Sequence, residues 1–200
     1  MRLLIAFLLY ILISPANSKT LEVVVGLAKP PYVLADGNSG FEIELIRHIL
    51  RKAGHKANFV LVPFGRTVSM LSRNDVDAIM TVNKSTIPDE KLLTEAYIYY
   101  RNVAISRAED NLEINDIYDL SNYTVSSFQN AHKILGPEFA SAMANSPLYI
   151  QNARQEVQPE LLTKGKVNFV VMDENIFNHY VSPDVSAQQN SIFSYHRIFP

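Results

Sequence analysis

The chain has 200 residues, of which 48% are hydrophobic and 19% are charged, as is usual for a protein with a buried core. Its formal net charge of -2 leaves no basic surplus to neutralise phosphates, which argues against nucleic acid as the main partner. The chain has no cysteine, so disulfides, thiolate metal sites, a cysteine nucleophile and a lipidated N-terminal cysteine are all excluded.

Residues 1–18 have the pattern of a cleavable secretory signal. Arg2 supplies the positive start, residues 3–13 form an apolar run, and a small-x-small sequence ends at Ser18. The apolar run is too short to hold the chain stably across a bilayer, although an uncleaved anchor is the alternative. We therefore predict cleavage after Ser18 and export to the periplasm.

The first predicted elements after the signal form an α/β unit. Residues 21–27 predict a buried strand, and two prolines end it, so that Tyr32 is held at the strand's carboxyl end on a stiff turn. Residues 39–42 have the pattern of a capping box that opens a helix. The apolar stripe predicted for this helix comprises Phe41, Leu45, Ile46, Ile49 and Leu50. A second strand is predicted at 57–62.

Two candidate ligand contacts follow this second strand, at the start of a predicted short helix. Phe64 is an aromatic residue that we expect to stack on a ligand. Arg66 would lie in the first turn of the helix, where the helix dipole does not favour a cation. We interpret Arg66 as a residue held for a bound carboxylate, with a solvated surface arginine as the alternative.

A helix end, a turn and a short buried strand occur twice in the chain. The copies cover residues 71–86 and 162–175, and matched positions such as Leu71 and Leu162 are 91 residues apart. Polar residues follow the strand in both copies, namely Thr81, Asn83 and Lys84 in the first and Asp173 in the second. Because ligands bind beyond the carboxyl ends of strands in open α/β sheets, the repeat predicts two α/β lobes with a ligand cleft between them. The alternative is that any helix-turn-strand unit of an α/β protein has this pattern.

The second lobe is predicted to repeat the layout of the first. Its predicted elements are a helix at 114–120, a strand at 124–127, a helix from 128 to about 143, a strand at 148–151, a helix at 156–164 and a strand at 167–172. Gln129 and Asn130 lie at the start of the long helix, whose N-terminal amides suit an anion or a carboxylate.

Two strands are predicted to cross between the lobes, at 102–106 and 192–199. These crossings divide the chain into lobe one at 19–104, lobe two at 105–191 and a returning hinge strand at 192–200. Because the returning strand has nothing to return to, we expect the C-terminal part of lobe one to be missing from this chain.

Five segments in this order resemble the bacterial extracellular solute-binding proteins of family 3, the periplasmic receptors associated with uptake of polar amino acids. The segments are VGLAKPPYV at 25–33, GFEIELIRHILRKAG at 40–54, LSRNDVDAIMTVN at 71–83, DLSNYTVSSFQNA at 119–131 and LLTKGKVNFVVMDE at 161–174. The resemblance implies a type II periplasmic-binding-protein fold, in which two α/β lobes close on a ligand by hinge motion.

The resemblance also implies roles for residues at the strand ends. In the family, the aromatic residue after the first strand packs on the ligand, and Tyr32 stands at that position. Residues just after the strand of the first repeat copy bind the ligand's carboxylate, which points to Thr81 and Asn83. The start of the second-lobe helix adds polar contacts, which points to Gln129 and Asn130. Rim packing for Tyr32 and helix capping for Asn130 are the structural alternatives.

The acid after the later strand receives the ligand's ammonium group in the family, and Asp173 matches it, with a plain helix N-cap as the alternative. The chain departs from the family because no arginine follows residue 83 at the place where amino-acid binders hold the α-carboxylate with a bidentate pair. Lys84, Lys91 or Arg66 would have to substitute. The resemblance therefore implies a small polar solute, either an amino acid or a related compound.

Three functions are open from the sequence. The first is a monomeric solute-binding protein that serves the membrane permease of an ABC transporter. The second is a sensory receptor with the same cleft and a kinase or cyclase partner. The third is a dehydratase-like enzyme on the same fold, although the sequence has no nucleophile motif and no metal-binding motif. No cofactor is expected.

Overall fold

The computed structural model describes residues 18–181 and 192–200. The predicted signal before Ser18 and the predicted end of lobe two, at 182–191, lie outside these residues. No helix within the described ranges is long and apolar enough to cross a membrane. The described ranges form two α/β units, each built on its own sheet.

The first lobe contains a sheet of three parallel strands in the order β2–β1–β3. The strands are β1 (Thr20–Val25), β2 (Lys56–Leu61) and β3 (Ala78–Ile79). Two helices connect them, α1 (Phe41–Lys52) and α2 (Phe64–Ser72). The central strand β1 buries its last three residues, as expected for a parallel strand covered by crossover helices.

The second lobe contains a mixed sheet of five strands in the order β6–β5–β7–β4–β8. The strands are β4 (Asn102–Arg107), β5 (Val125–Phe128), β6 (Tyr149–Asn152), β7 (Phe169–Asp173) and β8 (Phe193–His196). The helices are α3 (Ala131–Ile134), α4 (Pro137–Asn145), α5 (Val157–Thr163) and α6 (Glu174–Tyr180). Short 3-10 turns lie at Glu90–Leu92, Ala108–Asp110 and Tyr118–Asn122. Strand β4 lies wholly in this sheet, antiparallel to both β7 and β8.

Strand β7 is buried along its whole length because both faces of the second sheet are covered. Val170 and Met172 pack into the core on one face, whereas Phe169 and Val171 pack into the core on the other. This alternation follows from the two-residue period of a strand. It explains why the sequence of β7 is continuously apolar rather than alternating.

The capping box predicted at the start of α1 is wrong. The N-cap is Gly40, with φ 116° and no side-chain cap, and the Ser39 hydroxyl donates instead to Asp36. A Cβ atom on Gly40 would lie 2.5 Å from the backbone oxygen of Tyr32. Glycine is therefore required there, because the helix start is pressed against the turn that carries Tyr32. The Glu42 N–H donates to the Tyr32 carbonyl at 3.0 Å, which replaces the missing cap.

The apolar stripe predicted for α1 is rotated from the face that the structure buries. The helix buries Glu42 and Ile43, whereas Phe41 is 62% exposed and Ile49 is 43% exposed. Ile46 and Leu50 pack against the core as predicted. The contacts at Gly40 set this rotation, and they bring a carboxylate into the interior of the lobe.

The long helix predicted from 128 to about 143 is two helices, α3 and α4. Gly136 has φ 96°, a value that breaks a helix, and Pro137 occupies the first turn of α4. Proline at this position starts a helix because it lacks only an N–H that would have no partner there. In the first lobe, β3 has two residues in place of the predicted five.

The burial of His196 makes the stability of the second lobe depend on pH. The Ser106 and His196 side chains join β4 to β8 with Oγ and Nε2 at 2.9 Å. Burial lowers the pKa of His196 below its ordinary value. As pH drops, His196 therefore becomes protonated in the unfolded chain before it does so in the folded chain. We expect the free energy of unfolding to fall as pH drops below about 6.5.

Urea denaturation at pH 7.5 and at pH 5.5 measures this loss. His196→Gln keeps a hydrogen-bond partner for Ser106 and removes the titrating ring, so its loss of stability between the two pH values should be smaller. Equal losses in the two proteins would show that His196 does not carry the effect.

Candidate functional site

The two lobes meet at the carboxyl ends of their strands. The Tyr32 hydroxyl, beyond β1, accepts a hydrogen bond from the Asn175 Nδ2 atom, beyond β7, at 2.9 Å. The Gln129 Oε1 atom, beyond β5, accepts from the Gly65 backbone N–H at 3.0 Å. A Cβ atom at Gly65 would lie 2.9 Å from Gln129 Nε2. The polar junction between the lobes therefore lies at the edge where α/β sheets bind ligands.

Tyr32 is the central aromatic residue of this junction. It is 8% exposed, and its ring packs edge-on against Tyr100 with 4.7 Å between centroids. Burial raises the pKa of the Tyr32 hydroxyl above its usual value, so the group is a neutral donor and acceptor at physiological pH. Tyr32 thus belongs to the core at the cleft edge, and its packing on a ligand stays a prediction.

Asp173 lies at the end of β7 and caps α6. It is 2% exposed, and its Oδ1 accepts the Asn175 and Ile176 backbone N–H groups at 2.9 and 3.1 Å. Its Oδ2 accepts the Arg101 N–H at 2.8 Å. Burial raises the pKa of Asp173, against the opposing effect of these bonds. The structure therefore gives Asp173 the capping role, and its role toward a ligand ammonium stays a prediction.

The structure adds a buried polar cluster that the sequence analysis did not predict. We call it the Lys29 cluster, and its members are Lys29, Glu42, Thr81, Tyr97 and Tyr100. The Lys29 ammonium lies 2.8 Å from Glu42 Oε2 and donates to Thr81 Oγ1 and to the Tyr100 hydroxyl, each at 2.6 Å. Their side-chain exposures, 7% for Lys29 and 0% for Glu42, make this a buried ion pair.

The Glu42 carboxylate is held on both oxygens. Oε1 accepts the hydroxyls of Thr81 and Tyr97 at 2.7 and 2.8 Å, and Oε2 accepts the hydroxyl of Tyr100 at 2.7 Å. Burial opposes ionisation, but the Lys29 charge and these donors together lower the pKa of Glu42. Burial also lowers the pKa of Lys29, against the attraction of Glu42. The pair has the hydrogen bonds that a buried ion pair requires.

The tyrosines of the Lys29 cluster stay protonated and donate their hydroxyls to Glu42. Burial and the neighbouring Glu42 carboxylate raise the pKa of both Tyr97 and Tyr100. Thr81, a predicted ligand residue, has a left-handed backbone with φ 61°, and its N–H donates to the Tyr97 hydroxyl at 3.1 Å. Thr81 therefore faces the interior cluster with both its hydroxyl and its N–H.

The other predicted residues after β3 are turned toward solvent. Asn83 is exposed, and its Oδ1 accepts the N–H of Ser85 within the turn. Lys84 is 73% exposed along its side chain and pairs with Glu90 at 2.8 Å. The structure therefore brings neither residue into the Lys29 cluster beside Thr81.

The remaining predicted residues lie on either side of the junction. Phe64 begins α2 and is half-buried, whereas Arg66, in the first turn of that helix, is exposed. Asn130 has a left-handed backbone with φ 65° and precedes α3 without a side-chain cap. Its N–H donates to Gln151 Oε1 at 2.7 Å. The structure thus brings Gln129 against the helix start that carries Phe64. Tyr32 and Asp173 both contact Asn175.

Sequence reasoning missed Lys29 and Glu42 for a local reason. Lys29 precedes the two prolines without a pattern of its own, and Glu42 falls within the predicted capping box at 39–42. The usable signal is Gly40, since a glycine at the N-cap has no side chain to pair with an acid in the first turn of the helix. Tyr97 and Tyr100, three residues apart in an aromatic-rich stretch, carried no signal of their own.

Comparison with solved structures identifies the fold. An ancestral arginine-binding protein bound to arginine matches with a TM-score of 0.69 and 20% identity, over 88% of this chain and 78% of its own. A substrate-binding protein of an ABC uptake transporter from Streptococcus pneumoniae, with bound histidine, matches with a TM-score of 0.68 and 13% identity, over 90% and 74%. A histidine kinase sensor domain similar to periplasmic binding proteins matches with a TM-score of 0.73 and 17% identity, over 92% and 79%.

These likenesses confirm the predicted type II periplasmic-binding-protein fold. No curated protein sequence matches the chain significantly. A family match covers residues 21–185, which include the greater part of both lobes and every residue of the Lys29 cluster. On that match, the chain belongs to the bacterial extracellular solute-binding proteins, family 3.

Proposed function

We propose that this protein captures a small polar solute, an amino acid or a related compound, between its two lobes and delivers it to the permease of an ABC transporter. Membership of a solute-binding family supports the general role. The solved structures with bound arginine and bound histidine support an amino acid or a close relative as the solute.

The observation that carries the proposal is the pair of hydrogen bonds between the lobes. Tyr32 with Asn175 and Gly65 with Gln129 are contacts that closure forms and opening breaks. All four residues follow the carboxyl end of a strand, where the two sheets face each other. A solute held at this edge would be enclosed by both lobes, as hinge closure requires.

Uncharged polar groups at the junction fit a small polar solute. Within the described residues, no hydrogen-bond partner is found for Gln129 Nε2, the Asn130 side-chain amide or Asn175 Oδ1. Amides supply both donors and acceptors, so they can orient a polar molecule without a fixed charge. The charges of Lys29 and Asp173, by contrast, are satisfied within the protein.

A sensory receptor is the second candidate, and the likeness to a histidine kinase sensor domain favours it. The same cleft would serve either role, so the partner decides between them. A deletion strain that loses uptake of the labelled solute would support transport. A strain that keeps uptake but loses a transcriptional response to the solute would support sensing.

The proposal also covers the localisation and the oligomeric state of the protein. The signal predicted at 1–18 would export it to the periplasm, where we expect it to work as a monomer. We propose no catalytic activity, because the family is one of binding proteins.

A thermal-shift screen against amino acids, amines, small carboxylates and short peptides tests this function. A solute at 100 times its dissociation constant should add about 2.7 kcal/mol to the free energy of unfolding. X-ray scattering should show a smaller radius of gyration at saturation. Tyr32→Phe keeps the ring and removes the acceptor for Asn175, so we expect the dissociation constant to rise by up to about tenfold.

Tyr118→Phe is the matched control, since Tyr118 is 53% exposed and lies in a 3-10 turn of the second lobe. Its affinity for the solute should equal that of the unchanged protein. A screen without any hit, or a bound solute that leaves the scattering unchanged, would refute capture by closure.

A further inference from the structure

The Lys29 cluster has the parts of an ammonium-binding site. The Glu42 carboxylate supplies the charge, Thr81 and Tyr100 supply oxygen acceptors, and the Tyr100 ring lies 4.8 Å from the Lys29 ammonium. A carboxylate, hydroxyl acceptors and an aromatic ring together are the groups that bind ammonium ions. Three acceptors surround an ammonium that has three N–H donors, so no donor is left over.

Separate chain segments build this site around the lysine. Glu42 comes from α1, Thr81 from the turn after β3, and Tyr97 and Tyr100 from the stretch before β4. Lys29 comes from the turn after β1. Two reciprocal backbone hydrogen bonds between Lys29 and Val33, at 2.9 and 3.2 Å, hold this turn. The three acceptors around the ammonium, and Tyr97 behind Glu42, therefore have supports that do not depend on the lysine side chain.

The site lies beside the cleft. Tyr100 packs against Tyr32, and Tyr32 in turn contacts Asn175 of the second lobe. The Asp173 charge also acts on Lys29. Tyr100 and Tyr32 therefore link the ammonium to the junction of the lobes.

We propose that Lys29 is a tethered occupant of an ammonium site in the first lobe, and that removing its side chain opens this site to small primary ammonium ions. The inference goes beyond the proposed solute capture and does not depend on the identity of the solute. It makes Lys29 the residue that excludes free ammonium groups from this wall of the cleft.

The test is chemical rescue of Lys29→Ala by n-propylammonium, which matches the three methylenes and the ammonium that the substitution removes. We expect n-propylammonium chloride to raise the unfolding midpoint of Lys29→Ala by several degrees, in a saturable way. Sodium chloride at equal ionic strength controls for screening, and 1-propanol controls for size without charge. Neither should stabilise the variant in a saturable way.

Three further proteins make the rescue specific. The unchanged protein should not respond, because its own lysine fills the site. Lys52→Ala removes an exposed lysine of α1 and should not respond either. Lys29→Ala combined with Glu42→Gln removes the carboxylate from the empty site, and rescue should be lost.

If Lys29→Ala is already unfolded without added salt, the same titration is monitored by far-ultraviolet circular dichroism, which measures the recovery of secondary structure. Recovery with n-propylammonium but not with sodium chloride supports the proposal. A variant that responds equally to both salts, or a response of equal size in the unchanged protein, overturns it. Neither result bears on solute capture, which the screen of the unchanged protein tests separately.

Discussion

Glu42→Ala is expected to lower the free energy of unfolding by about 3–5 kcal/mol, the usual cost of removing one partner of a buried ion pair. The Lys29 ammonium would keep its neutral acceptors on Thr81 and Tyr100 but lose its only carboxylate contact among the described residues. Tyr97 would lose the acceptor for its hydroxyl. Urea denaturation at pH 7, followed by circular dichroism, measures the loss.

Glu44→Ala is the matched control in the same helix. Glu44 is 61% exposed along its side chain and pairs with Arg47 at the surface. Exposed pairs contribute about 0–1 kcal/mol, so this variant should be nearly as stable as the unchanged protein. Two variants of equal stability would mean that Glu42 and Lys29 are not a buried pair in solution.

Glu42→Gln separates charge from hydrogen bonding at the same position. Glutamine has nearly the same shape as glutamate and keeps one carbonyl acceptor, but it leaves the Lys29 charge unpaired. We expect its stability to lie between those of the unchanged protein and Glu42→Ala. The difference between the unchanged protein and Glu42→Gln then reports how much of the effect belongs to the charge.

The family and the order of elements could be predicted because their signals are local. Pro30 and Pro31 limit the apolar run of β1, and Gly54 limits α1. The predicted bounds of these two elements therefore agree with the observed ones to within about two residues. The repeated unit also placed β3 and β7 correctly in order. Each of these signals lies within a dozen residues of the element that it predicts.

The Lys29 cluster could not be predicted in this way because its contacts are distant in sequence. Lys29 and Tyr100 are 71 positions apart, and Glu42 and Tyr100 are 58 positions apart. No sequence periodicity links residues that are this far apart. The stripe predicted for α1 also lies on a different face from the one that the structure buries. The predicted stripe includes Phe41 and Ile49 because both are apolar. The structure leaves both largely exposed and buries Glu42 instead.

The candidate site shows the same limit. Tyr32, Gln129 and Asp173 all follow or end strands, as the strand-end rule expects. Their contact with a ligand stays a prediction. The rule could not separate residues that face the junction from those that turn away. Lys84 follows Thr81 by only three residues, yet it pairs with Glu90 at the surface.

Asp173→Ala is expected to destabilise the protein through the start of α6. The substitution removes the acceptor of the Asn175 and Ile176 N–H groups, and losing a helix cap costs up to about 2 kcal/mol. It also removes the acceptor of the Arg101 N–H, and an unpaired buried donor costs about 1–3 kcal/mol. We therefore expect a loss of roughly 2–4 kcal/mol in urea denaturation.

Asp173→Asn distinguishes this structural role from recognition of a ligand ammonium. Asparagine keeps one oxygen and is as good an N-cap as aspartate, so this variant should be clearly more stable than Asp173→Ala. If the Asp173 carboxylate also binds the solute's ammonium, Asp173→Asn should weaken affinity by about 1.5–3 kcal/mol, the value of a hydrogen bond to a charged group. Unchanged affinity would assign Asp173 to the helix cap alone. An Asp173→Ala protein as stable as the unchanged one would contradict the capping role itself.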